Sequence, residues 1–190
     1  MVENLFGVRT AKSSEMDGVA ELLSLAFMED PVSRWIFPGR TRRRQVHPEF
    51  FGAFAGFAFD HGEVCVTGDF SGAVLWIPGG RRDLLDRFAA LTGDERNRFD
   101  ALAELREANE PSPAHLQAQW LGVLPRRRGA GIGRALLRQR LERLDVPAYV
   151  EASSVAGASL CRGLGFAEAG EPFAADGGPS VLPMVRKVGG

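Results

Sequence analysis

The run Leu124-Pro125-Arg126-Arg127-Arg128-Gly129-Ala130-Gly131-Ile132-Gly133 joins two different patterns. Residues 115–123 before it alternate like a strand. After it, Ile132, Leu136, Leu137, Leu141 and Leu144 mark one side of a helix, interrupted by Arg140 and Arg143. Glycines lack a Cβ, so successive backbone amides can turn toward a ligand, and the helix beginning there adds about half a positive charge at its N-terminus. An anion is therefore expected at this turn, most naturally a pyrophosphate. Spacing separates the known nucleotide loops. A P-loop requires Gly-Lys-Ser/Thr after four residues, and no lysine occurs in the run. A dinucleotide-binding turn requires G-x-G-x-x-G, but the last position falls on Arg134 counted from Gly129, and on Leu136 counted from Gly131. The spacing that fits is R-x-x-G-x-G, carried by Arg128, Gly131 and Gly133. A glycine-rich turn with solvated arginines is the alternative.

Working outward, residues 6–11 read as a short strand. Ser13 or Ser14 offers an N-cap oxygen to a helix marked by Met16, Val19, Leu22, Leu23, Ala26 and Phe27, which the pair Asp30-Pro31 should end. A loop with Trp35, Phe37 and Pro38 follows, then a helix over about 42–59 that is dense in phenylalanine and contains Pro48. Residues 63–67 and 73–77 form a hairpin with a five-residue loop. Residues 81–108 show helical patterns broken at Thr92-Gly93-Asp94, and residues 109–113 read as a stiff connector. Strands at 148–152, 166–169 and 181–187 and a helix at 157–164 complete the order. That order implies a mixed α/β (α+β) sheet with helices on its faces, in one domain spanning residues 1–190.

Composition narrows the function. The 23 basic and 24 acidic side chains give a formal charge of -1, which provides no field for gripping nucleic acid or an anionic membrane. The two cysteines, Cys65 and Cys161, lie far apart and outside any zinc-like spacing, so no metal site and no disulfide scaffold are expected. No apolar run approaches the roughly 20 residues that cross a bilayer. The amino terminus lacks a basic stretch followed by an apolar one, so a cytoplasmic location is expected. Lysine appears only at Lys12 and Lys187 while Arg, Gly and Ala abound, a bias typical of a GC-rich bacterial genome.

These motifs resemble the GNAT superfamily of acyl-coenzyme A dependent N-acetyltransferases. The resemblance rests on Asp30-Pro31 followed by Trp35 and Phe37-Pro38, on residues 115–133, and on Glu151-Ala152-Ser153-Ser154 with Leu164-Gly165-Phe166. In layout the chain is distantly similar to the group that includes puromycin N-acetyltransferase. The resemblance implies a mostly antiparallel sheet of six to seven strands, flanked by helices, with a V-shaped splay between the central strands. Acetyl-CoA would fill the splay. Its pantetheine arm would pair with backbone near Leu121 and Val123, and its pyrophosphate would meet the amides of Arg128, Gly129, Ala130, Gly131 and Gly133. Ser154 and the side chains of Arg126, Arg127 and Arg134 are further candidates on the cofactor side.

The implied reaction is direct attack of a neutral amine on the thioester, which needs a base for the amine proton and support for the departing thiolate. Glu151 is the candidate base, directly or through water; the alternative is a strand-end carboxylate bonded to a neighbouring loop. His115 is the second candidate, sharing a face by alternation with Gln117 and Gln119. Where relatives carry an asparagine after the fifth strand this chain has Ser154, and where they carry a tyrosine acid it has Cys161. Cys161 is either the replacement acid or a small buried residue. Trp35, Phe37, Phe54 and Gln117 are candidates for the acceptor side, unless the phenylalanines are core. Arg40, Arg42, Arg43 and Arg44 cluster at a helix start, hinting at an anion or partner contact. A small-molecule amine is the expected partner, in a monomer or homodimer. A catalytically weak acyl-CoA-binding module with a sensory or regulatory role is the alternative.

Overall fold

The computed structural model describes residues 6–80, 91–111 and 114–189. Seven strands form one sheet: β1 (Arg9–Thr10), β2 (Glu63–Val66), β3 (Gly72–Pro78), β4 (Leu116–Val123), β5 (Ala148–Ala152), β6 (Ala167–Glu168) and β7 (Leu182–Arg186). Their spatial order is β1-β2-β3-β4-β5-β7-β6, and every neighbouring pair is antiparallel except β4 and β5. Six helices cover the two faces: α1 (Met16–Ala26), α2 (Pro31–Ile36), α3 (Arg40–His61), α4 (Gly93–Asn109), α5 (Ile132–Leu141) and α6 (Val155–Arg162). None is long and apolar enough to cross a membrane among the described residues.

Each face has its own core. On one side α1, α2, α3 and α4 pack Leu23, Phe37, Phe50, Phe51, Phe54 and Phe99 against Leu75 and Trp120. On the other, α5 and α6 pack Ile132, Leu136, Leu137 and Cys161 against Trp76, Val150 and Met184. The phenylalanine-rich stretch is a 22-residue helix that runs straight through Pro48. Phe50, Phe51 and Phe54 all meet the Trp120 ring edge-on at 5.1 to 6.0 Å, and this burial outweighs the roughly 3 kcal/mol that an interior proline costs a helix.

Several expectations are corrected. Asp30-Pro31 does not end a helix, because α1 stops at Ala26; it starts one, α2. Asp30 accepts from the amides of Val32 and Ser33 at 2.9 and 3.1 Å, and Pro31 takes the first helical position, where its missing N–H is not needed. The N-terminal serines cap nothing; Glu15 does, its carboxylate accepting from the Lys12 amide and from Arg9. The break at 92–94 is the beginning of α4, fixed by a capping box between Thr92 and Glu95. The helical pattern expected over 81–90, and the end of the connector at 112–113, lie outside the described residues.

The four arginines of the cluster have different surroundings, and Arg44 is exposed. Arg43 is 3% exposed and donates to the carbonyls of Met28, Phe37 and Pro38 at 2.7 to 2.9 Å. Arg42 makes a bidentate pair with Glu95 that ties α4 to α3 and holds the Glu95 carboxyl down at about 2. Arg40 lies 3.5 Å from Glu29.

Candidate active site

The strands at the centre of the sheet separate. β4 pairs with β3 along its whole length, and β5 pairs with β7 along its own, yet β4 and β5 meet only at Leu116↔Ala148 and Gln117↔Tyr149. Beyond that point the facing backbone edges have no strand between them. A bulge sits at the start of the gap: Leu75 pairs with Trp120 but Trp76 pairs with Ala118, leaving Gln119 as the extra residue. The Leu124 amide donates to Ser71 on the β3 side, so alternation turns the amides and carbonyls of Leu121 and Val123 into the gap. The bulge also breaks the alternation expected to place His115, Gln117 and Gln119 on one face. Past it, Trp120 and Gly122 face the α1/α3 core, while Leu121 and Val123 face α5 and α6.

At the mouth of the gap on the α5 side lies the arginine-glycine turn. Gly129 and Gly131 adopt φ of +79° and +88°, left-handed values that a side chain disfavours by about 1–2 kcal/mol. No side chain caps α5, and the first bond onto its cap runs from Ala135 to Gly131 at 3.1 Å. The amides of Ile132, Gly133 and Arg134 therefore have no acceptor among the described residues, and they converge on one exposed corner. A Cβ at Gly133 would lie 3.1 Å from Leu160 and 3.6 Å from Leu121, so glycine there keeps the helix start close to both walls of the gap. The neighbouring guanidiniums have other partners. Arg128 donates to the carbonyl of Ala26, the last residue of α1, at 2.6 Å, and to that of Val123 at 3.3 Å. Arg127 pairs with Asp69 at 2.9 Å, and Arg134 donates to Gly163 at 2.8 Å. Ala130 and Arg126 are exposed. What the turn leaves without partners among the described residues is therefore main-chain amides rather than the Arg127, Arg128 and Arg134 guanidiniums, a donor set that suits an anion.

The opposite face of the gap holds a polar cluster among aromatic rings. Glu151, on β5, is nearly enclosed; its Oε2 lies 2.5 Å from Nε of Arg106 on α4, and Oε1 accepts from the Tyr149 hydroxyl at 3.2 Å. Burial, and then the Glu151 charge, push the tyrosine well above its ordinary value. The Arg106 guanidinium carbon stands 6.0 Å from the centre of the Trp120 ring. Asp30 joins them from the α1–α2 turn, its Oδ2 accepting from Ser153 at 3.0 Å. Burial raises the Asp30 carboxyl, against the pull of its amide and hydroxyl donors and of the Arg106 charge.

The other expected residues are placed as follows. His115 is walled in, with its Nε2 3.4 Å from Glu110 and its ring edge-on to Tyr149. Gln117 is half-buried where β4 and β5 still pair. Ser154 N-caps α6, accepting from Gly157 at 3.1 Å. Phe37 and Phe54 are inside the aromatic core, and Phe54 backs the Trp120 ring from 5.1 Å, so neither meets solvent directly. Trp35 is half-buried beside Gly178. Cys161 points into the core under α6, where burial pushes its thiol up to about 11. Cys161→Ala is expected to cost about 1 kcal/mol of stability, measured by thermal unfolding.

Sequence reasoning missed Asp30, read only as part of a loop, and Arg106. Its usable signal was that an aspartate directly before Pro is a helix-start pattern, whereas nothing local marks Arg106.

No protein-family model matches the sequence, and no curated protein matches it. Solved structures do match. A Corynebacterium glutamicum acetyltransferase related to histone acetyltransferase HPA2 superposes with a TM-score of 0.67 at 23% identity, over 96% of both chains. Mosquito arylalkylamine N-acetyltransferase like 5b gives 0.68 at 19%, over 95% of this chain and 98% of the other. Drosophila melanogaster polyamine N-acetyltransferase, which forms N-acetylagmatine, gives 0.65 at 20%, with the same coverage. The seven-stranded sheet opened between β4 and β5 thus has the fold of these solved acetyltransferases.

Proposed function

We propose that the protein is an acetyl-CoA-dependent N-acetyltransferase acting on a small-molecule amine. The carrying observation is the two-residue pairing of β4 with β5, which leaves a backbone-edged gap with an amide nest on one face and buried carboxylates on the other. The amides from Gly129 to Arg134 would hold the diphosphate, and Leu121 and Val123 would offer main-chain groups to the pantetheine arm. Acetyl-CoA, when bound, supplies the activated acetyl thioester. Asp30 is the better placed proton acceptor: its raised carboxyl is nearer the range a base needs, whereas Glu151 is engaged by Arg106 and Tyr149. Glu151 then serves to orient Arg106. Trp120 and Phe27 give the acceptor face an apolar wall, in keeping with the arylalkylamines named for two of the solved relatives. The narrower likeness to the puromycin N-acetyltransferase group is supported by element order in the sequence.

One observation favours a second reading, a carrier-binding module with little turnover: Cys161 is enclosed in apolar core, where it is poorly placed to protonate a thiolate. Calorimetry with acetyl-CoA, followed by thiol release over an amine panel, separates the two. Binding with release on at least one amine is expected, and Gly131→Ala should weaken acetyl-CoA binding about tenfold because the turn loses its left-handed residue. Binding without release on any amine supports the module; no binding removes both readings.

A further inference from the structure

Arg106 is anchored but not exhausted. Its Nε lies 2.5 Å from Oε2 of buried Glu151 as an ion pair without hydrogen-bond geometry, and its guanidinium carbon stands over Trp120, while neither Nη amino group donates a hydrogen bond among the described residues. The side chain is 19% exposed, so it is neither freely hydrated nor sealed. A guanidinium has five donors in a rigid plane, and its Nη donors form a fork, the geometry that matches a carboxylate. Glu151 balances the charge of Arg106 without accepting a hydrogen bond from it. Asp30 lies within reach of the same field, with its carboxylate fixed by Val32, Ser33 and Ser153.

The face therefore offers an anionic point that suits an ammonium or amine and, in the same electrostatic field, a cationic fork over the Trp120 indole that suits a carboxylate. We infer that the acceptor carries both groups: an amine with a carboxylate on the same molecule, such as an amino acid with an apolar side chain. This inference rests on the acetyl-transfer reading. Arg106 is the residue that selects for the carboxylate. A second cation on the acceptor would meet it with like charge.

Three probes decide the question: phenylalanine; phenethylamine, which is the same molecule without its carboxylate; and agmatine, an amine that carries a second cation in place of an apolar ring. Their affinities are measured by calorimetry on the protein with and without saturating coenzyme A, and their turnover by thiol release. Phenylalanine should bind at least about tenfold tighter than phenethylamine, with agmatine weakest. In Arg106→Gln the phenylalanine-to-phenethylamine ratio should fall to near one. Arg106→Lys, which keeps the charge that Glu151 needs but loses the fork, should restore only part of it. Equal affinity for phenylalanine and phenethylamine in the native protein, or an unchanged ratio in both variants, overturns the inference. Failure to bind acetyl-CoA would defeat the acetyl-transfer reading instead, and the probe ratio on the carrier-free protein would still decide the role of Arg106.

Discussion

Asp30→Asn should lower kcat/KM for acetyl transfer by a factor of about 10² to 10⁴, the usual contribution of a positioned base, without unfolding the protein. The substitution suits the test because asparagine caps helices about as well as aspartate, so its carbonyl can still accept from Val32 and Ser33. What it removes is the proposed proton acceptor. The pH dependence has a defined sign. A base must be deprotonated, and burial raises the Asp30 carboxyl, so the acid limb of kcat/KM should lie at a higher pH than an ordinary aspartate would give and should vanish in the variant. Stability runs the other way. A carboxyl raised on folding binds its proton more tightly folded than unfolded, so this group adds stability as the pH falls through its folded value. Rate profiles and thermal unfolding across acid pH check both; a variant within tenfold of the native rate would shift the base assignment to Glu151 or to water.

The largest loss of stability is expected at Arg43, roughly 3–5 kcal/mol on replacement by alanine. Its side chain holds three carbonyls, those of Met28, Phe37 and Pro38, in a place where water cannot substitute. Alanine would orphan all three and leave a cavity between α2 and α3. Arg44, next in sequence, is exposed, and Arg44→Ala should change stability by no more than about 0.5 kcal/mol. Chemical denaturation of the two variants compares them directly; similar losses would mean that helix propensity, not the carbonyl clamp, governs this region.

The contrast between these neighbours shows what a sequence can and cannot reveal. Local pattern carries the elements well: the apolar stripe of α1, the hairpin of β2 and β3, the five residues of β5 and the arginine-glycine turn are all legible, because each depends on residues a few positions apart. Arg42, Arg43 and Arg44 look alike in sequence, and only the fold separates a helix tie, a carbonyl clamp and a solvated charge. The acceptor face is harder still. Asp30 meets Ser153 across 123 positions, and Arg106 meets Glu151 from a helix whose other face is polar, so neither pairing leaves a periodic trace. Gln119 escaped for a different reason: a bulge adds one residue to a strand without altering its composition, and strict alternation then assigns every later side chain to the wrong face.

That one added residue also makes the two binding faces separately adjustable. Beyond Gln119, Trp120 and Gly122 border the α1/α3 side, and Leu121 and Val123 border the α5/α6 side. Under the proposed acetyl transfer a substitution at Trp120 bears on the amine and one at Leu121 or Val123 on the carrier, whereas Gly122 is closed to change, because a Cβ there would lie 2.8 Å from Leu23.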